Sequence, residues 1–233
     1  MKKSDSSILF LGKKDDAHCV KAAQFVHANF SDVTVCLGEW GESLPETATQ
    51  WQGDFIISYL SRWVVPEHLI HEAKHAAINF HPASPDYPGI GCNNFALYEQ
   101  AQEYGVTCHH MAAKVDTGAI IAVRRFPVFA SDDVASLLQR TYEFQLVLFY
   151  DVLGGLIRNE PLPHSNEMWT RPPFTRKQFD ALGLITADMS EDEVQRRVRA
   201  TSFGIWQPRM EIAGHVFMRK EEPLATKLPD SES

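Results

Sequence analysis

The sequence predicts an α/β fold, a mostly parallel sheet with helices on both faces, followed by a small C-terminal α+β appendage. Three observations carry that expectation. Short apolar runs alternate with segments whose apolar residues recur at helical spacing, the pattern of strands and helices taking turns. The 233 residues are 44% hydrophobic and 22% charged, so a folded domain is expected rather than a disordered or fibrous chain. A loop dense in proline and glycine, His81 to Gly91, leaves one apolar run at its carboxyl end, where open parallel sheets bind ligands.

The elements follow in order. Ser7 to Gly12 (SILFLG) reads as a strand, and Ala17 to Asn29, with Val20, Ala23, Phe25 and Val26 at helical spacing, as a helix. Asp32 to Leu37 is the next strand, followed by a polar loop to about Gln52. Asp54 to Tyr59 is a third strand, Pro66 opens a short helix to about Ala73, and Ala76 to Phe80 is a fourth strand. Beyond the proline loop, Asn93 to Tyr104 reads as a helix, and Gly105 to Met111 and Ala119 to Phe126 as strands. Asp132 to Leu153 reads as a long amphipathic helix ended by Gly154 and Gly155. This completes a compact Rossmann-like α/β unit over 1–155. The appendage spans 156–220, with a capping box at Ser190 to Glu193 and a hairpin from Met210 to Met218 turning at Ala213 and Gly214; a flexible tail takes 221–233.

Charge and cysteines narrow the function classes. Lys and Arg number 22 against 30 Asp and Glu, a formal charge of −8, which gives no basic field for a nucleic acid. Arg196, Arg197 and Arg199 share a segment with Glu191, Asp192 and Glu193 and read as a mixed-charge solvated face. Four scattered cysteines without a Cys-x-x-Cys pair fit reduced thiols. No apolar run has the length of a signal-peptide core or a membrane span, so a cytoplasmic protein without a membrane partner is expected.

The chemistry concentrates at Asn79-Phe80-His81-Pro82, where a buried strand meets the stiff loop, and at Lys114-Val115-Asp116-Thr117-Gly118 between two later strands. Strand alternation turns Asn79 and His81 to one side and Phe80 to the other. An imidazole titrating near neutrality, a nearby carboxylate that favours the imidazole's charged form and an amide donor for an oxyanion suit attack on a carbonyl with proton transfer. Each residue also has a plainer reading: Asn79 and His81 as polar groups satisfied at a strand end, Asp116 as a turn initiator.

These motifs, taken with IISYLSRWVVP (Ile56 to Pro66), HPASPDYPG and GVTCHHMAAKVDTGAII, resemble the formyltransferase family that uses 10-formyltetrahydrofolate, over roughly the first 155 residues and in the family's order. The resemblance implies Asn79, His81 and Asp116 as the catalytic residues. It implies folate contacts from Arg62, Trp63, Val64, Val115 and Asp116, acceptor contacts from Ser84, Asp86 and Tyr87, and no metal. The loop Ala83-Ser84-Pro85 is one residue shorter than the family's usual small-Leu-Leu-Pro form, which bears on the acceptor. The short appendage and the run GIGCNNFALYE look like members that formylate nucleotide-linked amino sugars, with a dTDP-linked 4-amino-4,6-dideoxyhexose first among the expected acceptors. A transfer RNA is disfavoured by the acidic chain, and a homodimer is compatible with the sequence. A glycinamide-ribonucleotide type transferase, a formyltetrahydrofolate hydrolase and a non-catalytic folate-binding or assembly module are the alternatives.

Two further features have competing readings. His71-Glu72-Ala73-Lys74-His75 matches H-E-x-x-H, but a zinc site needs a longer helix and a third ligand, and His109 and His110 as strand neighbours point apart. Trp169, Phe203 and Trp206 are either the core of the appendage or a platform for a base.

Overall fold

In the computed structural model, which describes residues 3–204 and 206–220, the first two thirds of the chain form one six-stranded sheet. Its strands are β1 (Ser4–Lys13), β2 (Phe30–Gly38), β3 (Gly53–Tyr59), β4 (Ala73–His81), β5 (Glu103–His110) and β6 (Ile120–Pro127), in the order β2-β1-β3-β4-β5-β6. The first four are parallel; β5 and β6 are antiparallel additions beside β4. Ile8 to Leu11 are all fully buried, as a central parallel strand requires when both of its faces are covered.

One face carries the larger core. Helices α1 (Ala17–Asn29), α4 (Cys92–Tyr98) and α5 (Val134–Ile157) pack there through Cys19, Ala22, Val26, Phe95, Leu97 and Phe149 against Ile8, Phe10, Tyr59, Ile78 and Phe80. Asp16 caps α1 by accepting from the amides of His18 and Cys19. The opposite face is covered by two single-turn helices, α2 (Glu46–Thr49) and α3 (Glu67–Ile70), with Trp51 and Trp63 packed on Leu9, Leu11 and Ile56.

Several boundaries differ from the sequence expectation. The helix after Pro66 stops at Ile70, and β4 begins three residues before Ala76. His71 therefore caps a short helix while His75 lies in a strand, which breaks the helical spacing of the H-E-x-x-H pattern. Helix α4 ends at Tyr98 because Gln100 takes a left-handed backbone (φ 56°), and Tyr104 joins β5, fully buried. The polar loop after β2 contains α2. Gly154 and Gly155 lie inside α5 instead of ending it: Val152, Leu153 and Leu156 are buried around them, and that packing outweighs a glycine cost of ~1 kcal/mol each.

After α5 the chain forms α6 (Arg176–Leu182), β7 (Leu184–Ile185), α7 (Glu191–Thr201), β8 (Arg209–Ile212) and β9 (His215–Met218), with a small sheet β7-β8-β9. The expected hairpin turns at Ala213 and Gly214, both with positive φ. Ser190 caps α7, but Glu193 turns to Arg196, Arg197 and Tyr98 instead of completing a capping box. The arginines of α7 are not a uniformly solvated face, since Arg197 donates to the carbonyls of Ala181, Leu182 and Leu184, and Arg199 to those of Asp132 and Phe129. Among the described residues no helix is long and apolar enough to cross a membrane. The segment 221–233, expected as a flexible tail, lies outside the described residues.

Candidate active site

The site forms where the sheet opens at the carboxyl ends of β3 and β4. Phe80 turns into the aromatic core, 6.1 Å from Tyr59 and 5.0 Å from Phe149 between ring centroids, so its neighbours Asn79 and His81 face the other way. Beyond Tyr59, Leu60 adopts a left-handed backbone (φ 55°), and the chain leaves the sheet. The Phe80 carbonyl accepts from Gln145 of α5 at 2.6 Å, a buried side-chain amide at the level where β3 ends beside β4.

Asp116 arrives from the loop between β5 and β6. Its own backbone is left-handed (φ 50°), which Asp tolerates better than most residues. Two residues on, Gly118 approaches β5 so closely that a Cβ would lie 1.8 Å from the His110 carbonyl oxygen, so glycine is required for the loop to return. The turn is closed by Thr117, whose hydroxyl donates to the Lys114 carbonyl, which leaves the Asp116 carboxylate free to point inward.

Four side chains meet there. His81 Nδ1 lies 3.3 Å from Asp116 Oδ2, His109 Nε2 lies 3.4 Å from Asp116 Oδ1, and Asn79 Nδ2 lies 3.1 Å from His109 Nε2. The three titratable members are nearly closed to solvent, His81 at 4%, His109 at 2% and Asp116 at 4% exposure, and Asn79 is the half-buried one. The Gly89 amide donates to Asp116 Oδ2 at 2.9 Å, and His81 Nε2 donates to the Tyr87 carbonyl at 3.1 Å, so the proline loop is stitched onto the cluster.

These contacts fix the proton inventory. Burial alone pushes the Asp116 carboxyl up, but the charge on His81, the bond and charge of His109 and the Gly89 amide bring it down to about 2. Asp116 is therefore an anion near neutrality. Burial pulls His81 below the ordinary imidazole value, against the opposing pull of Asp116 and the Tyr87 carbonyl. Both ring nitrogens face acceptors, which only the doubly protonated ring satisfies, while its burial makes that proton easy to lose. Such a ring can exchange a proton. His109 Nδ1 donates to the His110 carbonyl at 2.8 Å, while its Nε2 lies between the Asn79 amide and Asp116 Oδ1.

The trio expected from the sequence is thus brought together, and two members of its surroundings were missed. In the sequence His109 stands out only beside His110 as a metal-ligand pattern; the antiparallel register that sets Asn79 opposite His109 is what places it. Trp169, from the irregular segment after α5, sets its ring 5.8 Å from His81 and 5.0 Å from His109 and donates its Nε1–H to the Gly118 carbonyl. Of the expected folate contacts, Val64 and Val115 stand out at 72% and 50% exposure on the two loops beside the cluster. Arg62 lies over the Trp40 ring with a buried Nε that has no hydrogen-bond partner. Trp63 is turned onto Gly38 and donates to the Glu42 carbonyl, so its ring serves the fold. The expected acceptor residues are tied up as well. Ser84 bonds Asp86, Asp86 pairs with Arg125 at 3.0 Å, and Tyr87 is buried beside Tyr104 and Phe174.

Residues 17–153, which supply all four members of the cluster, match the family described as Formyl transferase. The chain belongs to this family. Within it, the chain is 30% identical over 159 residues to a methionyl-tRNA formyltransferase of Enterococcus faecalis, covering 66% of this chain and 51% of that protein. It is 26% identical over 178 residues to a GDP-perosamine N-formyltransferase of Brucella melitensis, covering 76% of this chain and 68% of that one. The chain thus spans about half the length of the methionyl-tRNA enzyme it matches. Its fold is shared with an N-formyltransferase from Helicobacter canadensis solved with folinic acid and dTDP-3-aminofucose. The TM-score is 0.69 at 20% identity, over 89% of this chain and 84% of that one.

Proposed function

We propose that this formyl transferase family member moves a formyl group from 10-formyltetrahydrofolate to the primary amine of a nucleotide-linked amino sugar, first among them a dTDP-4-amino-4,6-dideoxyhexose. The observation that carries formyl transfer is the cluster of Asn79, His81, His109 and Asp116 at the carboxyl end of β4. Its groups match what attack of an amine on a formyl carbon needs. An amide carries two N–H donors and the contact with His109 uses one, so Asn79 has a donor for the oxygen on which charge develops. His81 holds the mobile proton, and Asp116 keeps the imidazole oriented and stabilises its charged form.

The residues present fit a folate donor. Val64 and Val115 offer exposed apolar surface on the two flanking loops, and Arg62 Nε is a buried donor awaiting an acceptor. When bound, the folate supplies the formyl group on a nitrogen that must leave with a proton. Val64, Val115 and Arg62 hold that side of the site, and the proline loop, whose Ser84, Asp86 and Tyr87 are engaged within the protein and hold its shape, frames the acceptor side. Support for the amino sugar comes from the Brucella relative, named for GDP-perosamine, and from the Helicobacter neighbour, solved with a dTDP-amino sugar.

The test is release of tetrahydrofolate by purified protein given 10-formyltetrahydrofolate and a panel of amines. Release only with a nucleotide-linked amino sugar is the expected result. Release with glycinamide ribonucleotide instead would replace the acceptor, release without any acceptor would make the protein a hydrolase, and no release with folate binding would leave a binding module.

A further inference from the structure

Trp169 lies on a stretch without helix or strand, residues 160–173, that crosses the site and is held at several points. The Ser165 amide donates to the Ile120 carbonyl, Glu167 pairs with Arg125, the Thr170 amide donates to the Pro85 carbonyl and the Phe174 amide to the Pro88 carbonyl. The segment is therefore fastened both to β6 and to the proline loop. Gly89 makes this possible. A Cβ there would lie 2.4 Å from the Phe174 carbonyl oxygen, and its φ of 92° belongs to glycine. Between these ties the indole stands edge-on to both imidazoles, at interplanar angles of 69° to His81 and 86° to His109.

We propose that Trp169 keeps water from His81 and so determines that the formyl group passes to an amine and not to water. This rests on the formyl-transfer reading above and adds a specificity-determining residue to it. The two fates differ only in the nucleophile. With an amine, a C–N bond forms at the formyl carbon, the bond to the donor nitrogen breaks, and a proton from the amine ends on the leaving nitrogen. With water, a C–O bond forms, the same bond breaks, one proton ends on the leaving nitrogen and the other goes to solvent, giving tetrahydrofolate and formate. A base that serves one serves the other, so discrimination needs exclusion of water. The groups facing His81 are the Asp116 carboxylate, the His109 ring and the Tyr87 carbonyl, all polar, and the indole of Trp169, the apolar one. The low exposure of His81 and the downward pull of burial on its proton affinity fit an imidazole behind such a cover.

The test compares wild type with Trp169→Ala, Trp169→Leu and Trp169→Phe by two readouts. One is tetrahydrofolate release without acceptor, relative to acceptor-dependent transfer. The other is the His81 titration followed by NMR on protein without donor, the signal assigned by its loss in His81→Gln. Trp169→Ala is expected to raise the share of hydrolysis at least about tenfold and to move the His81 titration upward by about one unit. Trp169→Leu, a milder change that stands in if the alanine variant does not fold, moves both in the same direction by less. Trp169→Phe keeps an aromatic cover without the Nε1–H bond and stays near wild type in both. An unchanged share of hydrolysis in Trp169→Ala and Trp169→Leu, or an unmoved His81 titration, overturns the proposal. If wild type forms no product with any amine, the formyl-transfer reading fails separately, and the titration still decides whether Trp169 shields the imidazole.

Discussion

The end of β4 and the hairpin of β8 and β9 invert the usual distribution of polar and apolar groups in opposite ways. At β4, two imidazoles and a carboxylate are nearly closed to solvent. On the hairpin, Ile212, Val216, Phe217 and Met218 are each more than half exposed. The buried charge persists because every titratable member has partners: Asp116 has His81, His109 and the Gly89 amide, which offset the cost of removing it from water. The hairpin side chains bury little, and the hairpin rests on strand pairing with β7 and between its own arms. The lesson is that the first region draws its rigidity from the main core and the second does not share in it, so substitutions in the two should separate cleanly.

The largest expected effect tests the core beneath the site. Phe149 touches Phe10, Tyr59 and Phe80, and Phe149→Ala should cost ~3–5 kcal/mol in a denaturant titration and loosen the strand that carries Asn79 and His81. A loss below ~1 kcal/mol would show that the site does not depend on this core. Next, Asn79→Ala should lower kcat for formyl transfer by about 10²–10³ with the donor Kd little changed, the signature of a lost oxyanion donor. An unchanged kcat would remove that role.

A third effect is in pH. Asp116 has its folded pKa depressed to about 2 from an ordinary 3.8, so its contribution is present above about pH 4 and lost as pH falls through about 2. That contribution is on the order of 2 kcal/mol. Stability measured between pH 4 and 2 should fall less steeply in Asp116→Asn than in wild type, and parallel slopes would contradict the pairing. His81, also depressed, works in the same direction at higher pH.

Part of this arrangement was legible in the sequence. Asn79, His81 and Asp116 were readable because strand alternation and the order of the motifs act within a few residues of each. His109 was not, since its bond to Asn79 joins residues 30 apart through an antiparallel register that a single chain does not declare. Trp169 reaches Gly118 across 51 positions from a stretch with no periodicity to read. Gln145 looked like any polar position on a long helix, yet it is fully buried and satisfies the Phe80 carbonyl. The parallel core and the hairpin were expected correctly. The helix ends were not, because Gln100 took a left-handed backbone that glycine more often fills, and the packing around Gly154 and Gly155 carried the helix past them.

Gln145 supplies the fourth prediction. Gln145→Leu leaves the Phe80 carbonyl unpaired and should cost ~1–3 kcal/mol of stability, while a loss within ~0.5 kcal/mol would show that the carbonyl finds another partner. The smallest effect is on the hairpin. Phe217→Ser should change stability by less than ~0.5 kcal/mol, and a cost comparable to Phe149→Ala would erase the contrast between the two regions.

The most direct test of the central claim places transfer and donor binding side by side in wild type, His81→Ala and Asp116→Ala. Wild type should give acceptor-dependent tetrahydrofolate and a formylated amine. Each variant should lose at least about 10²-fold in transfer while still binding the folate measurably, as expected for a lost acid–base group or its partner. Transfer at the wild-type rate in either variant would contradict the assignment of His81 and Asp116 as the centre of the reaction.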